Sequence, residues 1–188
     1  MNQPTTLRGE IQIILGPMYS GKTTQLLERL TKHTIAERKC LVINHDTDKR
    51  YGINSITTHS GRKLPAITES RLFDIDELTL SYASVVGIDE GQFFDDIVEF
   101  SENLANTGKT VIIAALDGDY KRECFGPIKY LIPKAESVIK LNSVCMKCHN
   151  KAAFTERLGP EADIQLVGGH EKYIATCRGC HKINTHTD

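Results

Sequence analysis

The fold of this chain is decided by one short stretch of its sequence, Gly16-Pro17-Met18-Tyr19-Ser20-Gly21-Lys22-Thr23. The stretch matches the pattern G-x-x-x-x-G-K-[ST] at every fixed position, and the apolar residues 11–15 come directly before it. Its glycines let backbone N–H groups turn toward an anion, and the helix expected after it adds partial positive charge. We therefore predict that all eight residues bind nucleotide phosphates, with Lys22 reaching the β- and γ-phosphates and Thr23 a ligand of Mg²⁺.

Four further apolar runs predict the rest of a sheet. They are rich in Val and Ile and lie at residues 40–43, 85–88, 111–116 and, less clearly, 137–141. Such near-continuous runs are typical of parallel strands that are buried on both faces. Residues 46–71 have few apolar runs and are predicted to form a long loop or flap.

Two segments between these runs have helical periodicity. Residues 24–39 place four apolar side chains on one side: Leu26, Leu27, Leu30 and Ile35. Residues 95–107 have a matching apolar set, which comprises Ile97, Val98, Phe100 and Leu104. Gly108 is expected to end the second helix. Strands that alternate with helices predict a three-layer α/β domain with right-handed crossovers.

An acidic pair, Asp89-Glu90, follows the run at 85–88. Apolar residues that end in Asp are the pattern that holds Mg²⁺ in nucleotide sites, so Asp89 is predicted to be a second metal ligand. Glu90 would lie at the carboxyl edge of the sheet, where a carboxylate can take a proton from a hydroxyl group or from water. These parts serve a small-molecule kinase and an ATPase equally well, so the motifs alone leave the acceptor open.

Two cysteine pairs near the end of the chain predict a metal site. They have the spacing C-x₂-C and consist of Cys145, Cys148, Cys177 and Cys180. Four thiolates suit the tetrahedral geometry of Zn²⁺ and leave no open coordination position, which favours a structural metal over a catalytic one. A disulfide interpretation is weaker for a chain expected in a reducing compartment.

The 28 residues between the pairs, 149–176, have two alternative interpretations. They could close over a substrate, or they could cap the end of the fold, and the spacing leaves both open. His149 and His181 adjoin the cysteines and could substitute for them as ligands, but the simpler expectation is that they are solvent-exposed neighbours. Cys40 is expected in the core, and Cys124 has no assigned role.

The composition limits the classes of function. The 188 residues are 40% hydrophobic and 25% charged with a net charge of −1, so no overall positive field attracts nucleic acid. The sequence contains no run of about 18 apolar residues, the length needed to cross a membrane. The polar N-terminus lacks the apolar core of a signal peptide and so predicts a cytoplasmic chain. An ATP-driven nucleic-acid motor with a zinc ribbon is disfavoured by length and charge. A nucleotide-binding protein without activity is disfavoured by the intact Lys22, Asp89 and Glu90.

In this order, the motifs resemble those of the type II thymidine kinases, the cytosolic zinc-containing family. Besides the phosphate-binding stretch, the resemblance rests on Gly87-Ile88-Asp89-Glu90-Gly91-Gln92-Phe93-Phe94, on Ala114-Ala115-Leu116-Asp117-Gly118 and on the cysteine pairs. It runs from about Gly9 to Cys180. It implies an α/β fold in which a P-loop (RecA-like) parallel sheet flanked by helices, residues 1–141, precedes a small zinc-binding lasso domain, residues 142–188.

The resemblance also implies roles for individual residues. Glu90 would be the general base, and Lys22 and Arg50 would complete the catalytic set. Asp48 and Gln92 would join the P-loop and Asp89 in binding the nucleotide. The positions that match thymidine contacts are Met18, Phe93, Leu116, Tyr120, Thr155, Tyr173 and the lasso residues Ile164, Gln165, Leu166, Val167 and Gly168.

The activity implied is transfer of the γ-phosphate of ATP to the 5′-hydroxyl of thymidine, which gives dTMP and ADP. Mg²⁺ and a structural Zn²⁺ are the implied metals. The family also implies a homotetramer and feedback inhibition by dTTP. Neither nucleic acid nor a membrane is expected as a partner.

Overall fold

The structure is a computed structural model that describes residues 8–47, 55–57, 63–159, 169 and 171–182. Within these ranges the first eight strands are β1 (Glu10–Gly16), β2 (Cys40–His45), β3 (Ser55–Thr57), β4 (Lys63–Pro65), β5 (Ile67–Glu69), β6 (Val85–Ile88), β7 (Thr110–Leu116) and β8 (Ser137–Lys140). Four shorter strands follow: β9 (Ser143–Val144), β10 (Lys151–Ala152), β11 (Phe154–Arg157) and β12 (Tyr173–Thr176). The helices are α1 (Lys22–Ile35), α2 (Glu77–Tyr82), α3 (Ile97–Asn106) and α4 (Ile128–Leu131), with short 3₁₀ turns at Leu72–Asp74, Gly91–Phe93 and Ile132–Lys134.

Six of the strands form one sheet with the order β5-β2-β6-β7-β1-β8. All neighbouring strands in it are parallel, which confirms the predicted parallel sheet. β1 lies between β7 and β8, and Ile13 pairs with Ile113 on one side and Val138 on the other. Because parallel strands end at the same edge of the sheet, the segments after β1, β2, β6 and β7 lie together there.

Each face of the sheet is covered by its own apolar cluster, so the predicted three-layer arrangement is confirmed. Along β7, Val111 and Ile113 belong to the cluster that includes α3, whereas Ile112 and Ala114 belong to the cluster that includes α1. This alternation follows from the two-residue period of a strand. It explains why β7 has a continuous apolar run rather than an alternating one.

Helix α1 begins at Lys22, two residues earlier than predicted, and buries Leu26, Leu27 and Leu30 as expected. The prediction for Ile35 is wrong, since its side chain is 78% exposed. Ile35 is the last residue of the helix and lies about 140° around the axis from Leu30, because each residue turns the helix by about 100°. It therefore points away from the sheet.

Gly108 terminates helix α3 as predicted, two residues after the last helical residue, Asn106. Gly108 has a φ of 90°, a left-handed conformation that favours glycine. Its N–H donates to the Ala105 carbonyl at 2.9 Å, and the Lys109 N–H donates to the Leu104 carbonyl at 3.1 Å. This pair of bonds is the Schellman arrangement, which satisfies the last carbonyls of the helix.

The prediction of a loop or flap at residues 46–71 is wrong for its described part. β5 extends the main sheet beside β2, with Ile43 opposite Ile67, and β3 and β4 form an antiparallel pair. Ile56 on β3 is 2% exposed and packs in the cluster that includes α1. Strands of three residues are too short to show a period, which is why the sequence pattern missed them.

After β8 the chain leaves the main sheet. β9 pairs with β10 and β11 pairs with β12, both antiparallel, around a small cluster of Cys145, Ala152 and Ala175. The other three cysteines of the predicted metal site and Tyr19 of the phosphate-binding stretch pack against this cluster. None of the described helices is long and apolar enough to cross a membrane.

Candidate active site

The phosphate-binding stretch forms a tight loop between β1 and α1. The Ser20 hydroxyl and the Lys22 ammonium each donate to the Pro17 carbonyl at 2.8 Å, so hydrogen bonds between its two ends stabilise the loop. Tyr19 has a φ of 63° and Gly21 a φ of 83°, and positive values of this kind turn successive N–H groups to one side. The loop leads directly into the N-terminus of α1, as the anion-binding prediction requires.

Asp89 lies beside this loop at the end of β6. The Thr23 hydroxyl donates to Asp89 Oδ2 at 2.9 Å, which joins residues that are 66 positions apart. Burial and, second to it, the negative charge of Glu90 raise the pKa of Asp89 to about 7, although the Thr23 hydrogen bond opposes the shift. A buried carboxylate beside a hydroxyl fits Mg²⁺, because the positive charge of the ion favours the ionised carboxylate.

Glu90 follows Asp89 in a left-handed backbone conformation with a φ of 53°. Such a conformation is costly for a residue other than glycine, and residues that adopt it are enriched at functional sites. The Glu90 carboxylate accepts a hydrogen bond from Gln92 Nε2 at 2.6 Å. The other end of that amide, Gln92 Oε1, accepts from the Leu116 N–H at 2.9 Å.

A second group of residues lies at the other side of the loop. The Met18 N–H donates to Thr155 Oγ1 at 2.9 Å, a contact between residues 137 positions apart. The Tyr19 hydroxyl donates to the Tyr173 carbonyl at 3.3 Å. Thr155 lies opposite Ala175, and Tyr173 lies opposite Arg157, across the β11–β12 pair, so these two contacts bring both strands of the pair against the phosphate loop.

Tyr120 belongs to the same group through a residue that the sequence analysis missed. Arg157 is 3% exposed, its guanidinium lies 4.0 Å from the centre of the Tyr120 ring, and it donates to the Tyr173 hydroxyl at 2.7 Å. A buried guanidinium on an aromatic face combines a cation–π contact with hydrogen bonds. The alternation of β11, which puts Thr155 and Arg157 on one face, was the only signal in the sequence.

His45, at the end of β2, is a second residue that the sequence analysis missed. Its ring centre lies 4.6 Å from that of Phe94 and 5.6 Å from that of Phe93, one of the predicted thymidine contacts. Burial lowers the pKa of His45, and the carboxylates of Asp46 and Glu90 only partly offset this effect. The predicted strand stopped at residue 43, so nothing in the sequence pattern pointed to His45.

The predicted metal site is assembled. One sulfur atom from each of Cys145, Cys148, Cys177 and Cys180 lies within 4.8 Å of all the others. Sulfur ligands of tetrahedral Zn²⁺ lie about 3.8 Å apart, given a Zn–S distance of about 2.3 Å, and the Cys148 and Cys177 Sγ atoms are 3.6 Å apart. The cluster therefore fits a Zn²⁺ ion.

Two of the four thiols have shifted pKa values, in opposite directions. Burial opposes ionisation of Cys145, but backbone N–H groups of Cys177, Lys147 and Cys148 outweigh it and lower the pKa of Cys145 to about 6. Hydrogen bonds with Cys148 and Cys177 raise the pKa of Cys180 to about 12. Four crowded thiolates repel one another, and a divalent cation would remove that cost.

Expectations for the residues around the cysteines are only partly met. His149 is exposed, as expected. His181 is not a solvent-exposed neighbour: its Nδ1 lies 3.0 Å from the Thr176 hydroxyl and its ring packs on Phe154, because it folds back against the end of β12. Cys40 is half-buried at the start of β2, and Cys124 is exposed.

Strand β11 connects the cysteine cluster with the second group of site residues. On one face lie Thr155 and Arg157, and on the other lies Glu156, which is 5% exposed. Lys147, between the first two cysteines, donates to both Glu156 carboxylate oxygens at 2.6 and 2.8 Å. Lys147 also donates to the Cys180 carbonyl at 3.0 Å. One strand thus joins both cysteine pairs to the site.

Comparison with known proteins decides the family. The family model described as "Thymidine kinase" matches residues 9–181. The chain belongs to the thymidine kinase family. The resemblance found in the motifs is therefore confirmed over nearly the whole chain.

Individual members of the thymidine kinase family are similar over most of their length. "Thymidine kinase, cytosolic" from Cricetulus griseus is 51% identical over 178 residues, which are 95% of this chain and 75% of that protein. The Homo sapiens protein of the same name has the same identity and coverage. "Thymidine kinase" from Vaccinia virus (strain Western Reserve) is 48% identical over 173 residues, 92% of this chain and 97% of the viral one.

Several predicted site residues of this family member lie outside the described residues. They are Asp48, Arg50, Ile164, Gln165, Leu166, Val167 and Gly168. Most of the described ones fall into two groups, which we name after the ligands predicted for them. We call Asp89, Glu90 and residues 16, 17 and 19–23 the phosphate end, and Met18, Tyr120, Thr155 and Tyr173, together with Arg157, the nucleoside end.

Proposed function

We propose that this protein is a thymidine kinase that transfers the γ-phosphate of ATP to the 5′-hydroxyl of thymidine, giving dTMP and ADP. One observation carries the proposal beyond family membership. The Met18 N–H, inside the phosphate loop, donates to Thr155 on a strand far along the chain at 2.9 Å. The loop therefore contacts a strand pair far along the chain, which supports a second substrate site beside the phosphates. An ATPase that uses water as acceptor has no need of such a second site.

Phosphoryl transfer depends mainly on charge stabilisation and alignment. The loop N–H groups and Lys22 would bind the phosphates of ATP. Thr23 and Asp89 would hold Mg²⁺, which neutralises charge on the transferred group when it is bound. The hydrogen bond between these two side chains supports this pairing, since both lie within reach of one ion. Arg50 would add positive charge at the same phosphates.

Glu90 would act as the general base. Its carboxylate takes the proton of the thymidine 5′-hydroxyl while the O5′–Pγ bond forms. The bond between Pγ and the bridging oxygen breaks, and its electron pair leaves with ADP. The strained backbone of Glu90 and its position one residue from Asp89 support this role.

The nucleoside end would bind the thymine base. We propose Met18, Phe93, Leu116, Tyr120, Thr155 and Tyr173 as its contacts, on the basis of the resemblance. The buried aromatic rings of Tyr120 and Tyr173 suit a flat pyrimidine. The lasso residues 164–168 would hydrogen-bond the edge of the base, and a site built from such bonds rejects bases that leave its groups unpaired.

We propose that the four cysteines bind one structural Zn²⁺. No coordination position would remain open for a substrate, so the ion would shape the site rather than take part in transfer. A domain boundary between residues 141 and 142 is supported by the last strand of the main sheet, which ends at Lys140.

The remaining expectations rest on the family resemblance. They are a homotetramer, inhibition by dTTP, a cytoplasmic location and the nucleotide contact of Asp48. The relatives from Cricetulus griseus and Homo sapiens carry the word "cytosolic" in their names, which supports the location.

The direct test is an ADP-release assay with Mg²⁺ and ATP in which thymidine, deoxycytidine, deoxyadenosine and single-stranded DNA are offered separately. We expect thymidine to give the largest stimulation and DNA to give none. Stimulation by DNA and not by thymidine would overturn the proposal. Equal ADP release without any acceptor would indicate an ATPase.

A further inference from the structure

Gln92 has a side chain whose contacts suggest a role different from nucleotide binding. It lies in the 3₁₀ turn Gly91–Phe93, directly after the Asp89-Glu90 pair, and is 2% exposed. Its Nε2 donates to Glu90 Oε2 at 2.6 Å, and its Oε1 accepts from the Leu116 N–H at 2.9 Å. Both ends of the amide are therefore engaged with protein groups.

The chemistry of the two partners determines how the amide is oriented. The Leu116 N–H can only donate, so it requires the amide oxygen, and the Glu90 carboxylate accepts from the amide NH₂. A side chain at this position must offer one acceptor and one donor, a fixed distance apart. Among uncharged side chains of this length, only glutamine does so.

The backbone beneath Gln92 is also held in place. Gly126 packs against it so closely that a Cβ atom at position 126 would lie 2.2 Å from the Gln92 carbonyl oxygen. Gly126 has a φ of 58°, which further favours glycine there. A fixed backbone leaves the amide little freedom, and this is the property that a residue needs if it is to orient another.

We propose that Gln92 is a positioning residue for Glu90: its amide connects the Glu90 carboxylate to the end of β7 and holds it in the direction required for proton removal. The inference rests on the proposed role of Glu90 as general base. Gln92 itself gains and loses no proton. This positioning role replaces the expectation that Gln92 binds the nucleotide directly.

The first test is Gln92→Met, which keeps the length of the side chain and removes both hydrogen bonds. We expect kcat to fall about 10–100-fold, the cost of a displaced catalytic group, while KM for ATP stays within about threefold. A tenfold or larger rise in KM for ATP with kcat near that of the wild type would show direct nucleotide contact and overturn the inference. So would an unchanged kcat.

A double variant tests whether Gln92 acts through Glu90. Adding Gln92→Met to Glu90→Gln should lower kcat by less than about twofold beyond Glu90→Gln alone, since residues that act as a unit are not additive. An additive loss would assign Gln92 a separate role. If Glu90→Gln alone keeps full turnover, the proposed base is wrong, which separates that failure from a failure of the Gln92 inference.

In a second variant, Gln92→Glu, the loss of kcat should depend on pH. A protonated carboxyl at position 92 still donates to Glu90 and accepts from Leu116, whereas two ionised carboxylates repel each other. We expect kcat, relative to wild type, to fall about tenfold or more from pH 6 to pH 8. An equal ratio at both pH values would overturn the inference. Glutamate has nearly the same shape as glutamine, so this variant still tests the inference if Gln92→Met does not fold.

Gln25→Glu is the matched control. The Gln25 amide donates to Glu28 Oε2 at 2.9 Å in an exposed pair on α1, so the same substitution there places two carboxylates together outside the site. We expect its kcat relative to wild type to be the same at pH 6 and pH 8. Thermal unfolding of every variant checks that the fold is kept.

Discussion

The phosphate end of the site is assembled from two short continuous segments, whereas the nucleoside end draws on four segments that lie far apart in the chain. At the phosphate end, Thr23 and Asp89 come from the loop after β1 and the end of β6 in the main sheet. At the nucleoside end, Arg157 packs on Tyr120, which precedes β8, and bonds to Tyr173 on β12. The first end depends on the sheet and the second on the cysteine cluster.

This difference predicts that the two ends can be damaged separately. Changes at the phosphate end should affect turnover or ATP, and changes at the nucleoside end should affect thymidine. Both effects would meet at two described hydrogen bonds that join the loop to the paired strands, Met18–Thr155 and Tyr19–Tyr173.

Glu90→Gln should have the largest effect. The amide keeps the shape of the side chain but cannot accept the hydroxyl proton, so we expect kcat to fall about 10²–10⁴-fold. Binding of ATP and thymidine, measured by calorimetry, should stay within about threefold of wild type. Unchanged turnover would remove Glu90 from the role of base.

Arg157→Met should affect mainly the nucleoside end. It leaves the Tyr173 hydroxyl without its charged donor, and a hydrogen bond to a charged group contributes about 1.5–3 kcal/mol to stability. We expect KM for thymidine to rise, by about 10–150-fold at most if the whole cost falls on binding, while KM for ATP stays unchanged. Arg178→Met is the control, because Arg178 is exposed and its guanidinium lies 5.0 Å from the centre of the Phe154 ring. An equal effect of both variants would contradict the prediction.

Cys145→Ser should remove the metal and loosen the nucleoside end. We expect the zinc content, measured by atomic absorption, to fall from about one ion per chain to near zero. KM for thymidine should rise at least about tenfold, since β11 is held by Lys147 between the first two cysteines. Cys124→Ser, at an exposed cysteine outside the cluster, should keep both values. Full zinc content in Cys145→Ser would show that the four-cysteine assignment is wrong.

The smallest expected effect is a pH dependence of stability at the phosphate end. The pKa of Asp89 is raised from 3.8 to about 7, chiefly by burial. Between these values the folded protein holds a proton that the unfolded chain has lost, so stability falls as the pH rises from about 4 to about 7 and levels off above that. In Mg²⁺-free buffer, we expect Tm to change more unfavourably from about pH 5 to about pH 7 in wild type than in Asp89→Asn.

A control variant and the addition of Mg²⁺ further test the difference in Tm between wild type and Asp89→Asn. Asp74→Asn, at an exposed carboxylate, should show the same drop in Tm as wild type. Adding Mg²⁺ at pH 8 should raise the Tm of wild type more than that of Asp89→Asn, since a ligand stabilises the state that binds it. The same drop in wild type and Asp89→Asn would contradict the assigned pKa shift.

The sequence analysis predicted the elements of the fold wherever their pattern was local and long enough to show a period. The five predicted strands and both long helices are present, and none of their ends shifts by more than four residues. Ile35 and residues 46–71 were predicted wrongly. In the first case the side chain lies beyond the buried stripe of its helix, and in the second the strands are too short to have a period.

The same limit applies to the site. Lys22, Thr23, Asp89 and the four cysteines belong to continuous motifs, and the structure brings each set together as the spacing predicted. Arg157, His45 and the contacts of Gln92 belong to no motif. Their surroundings depend on residues far away in the chain, such as Tyr120 for Arg157 and Leu116 for Gln92.

By itself, the sequence determined the phosphate loop, the parallel sheet and the cysteine cluster, because each depends on the spacing of neighbouring residues and on backbone geometry. Tertiary structure alone decided that Thr155 meets the backbone of Met18, that Arg157 lies between Tyr120 and Tyr173, and that the Gln92 amide joins Glu90 to Leu116. Each of these contacts includes a residue from a distant part of the chain. No local pattern encodes them, since they arise only when packing brings those parts together.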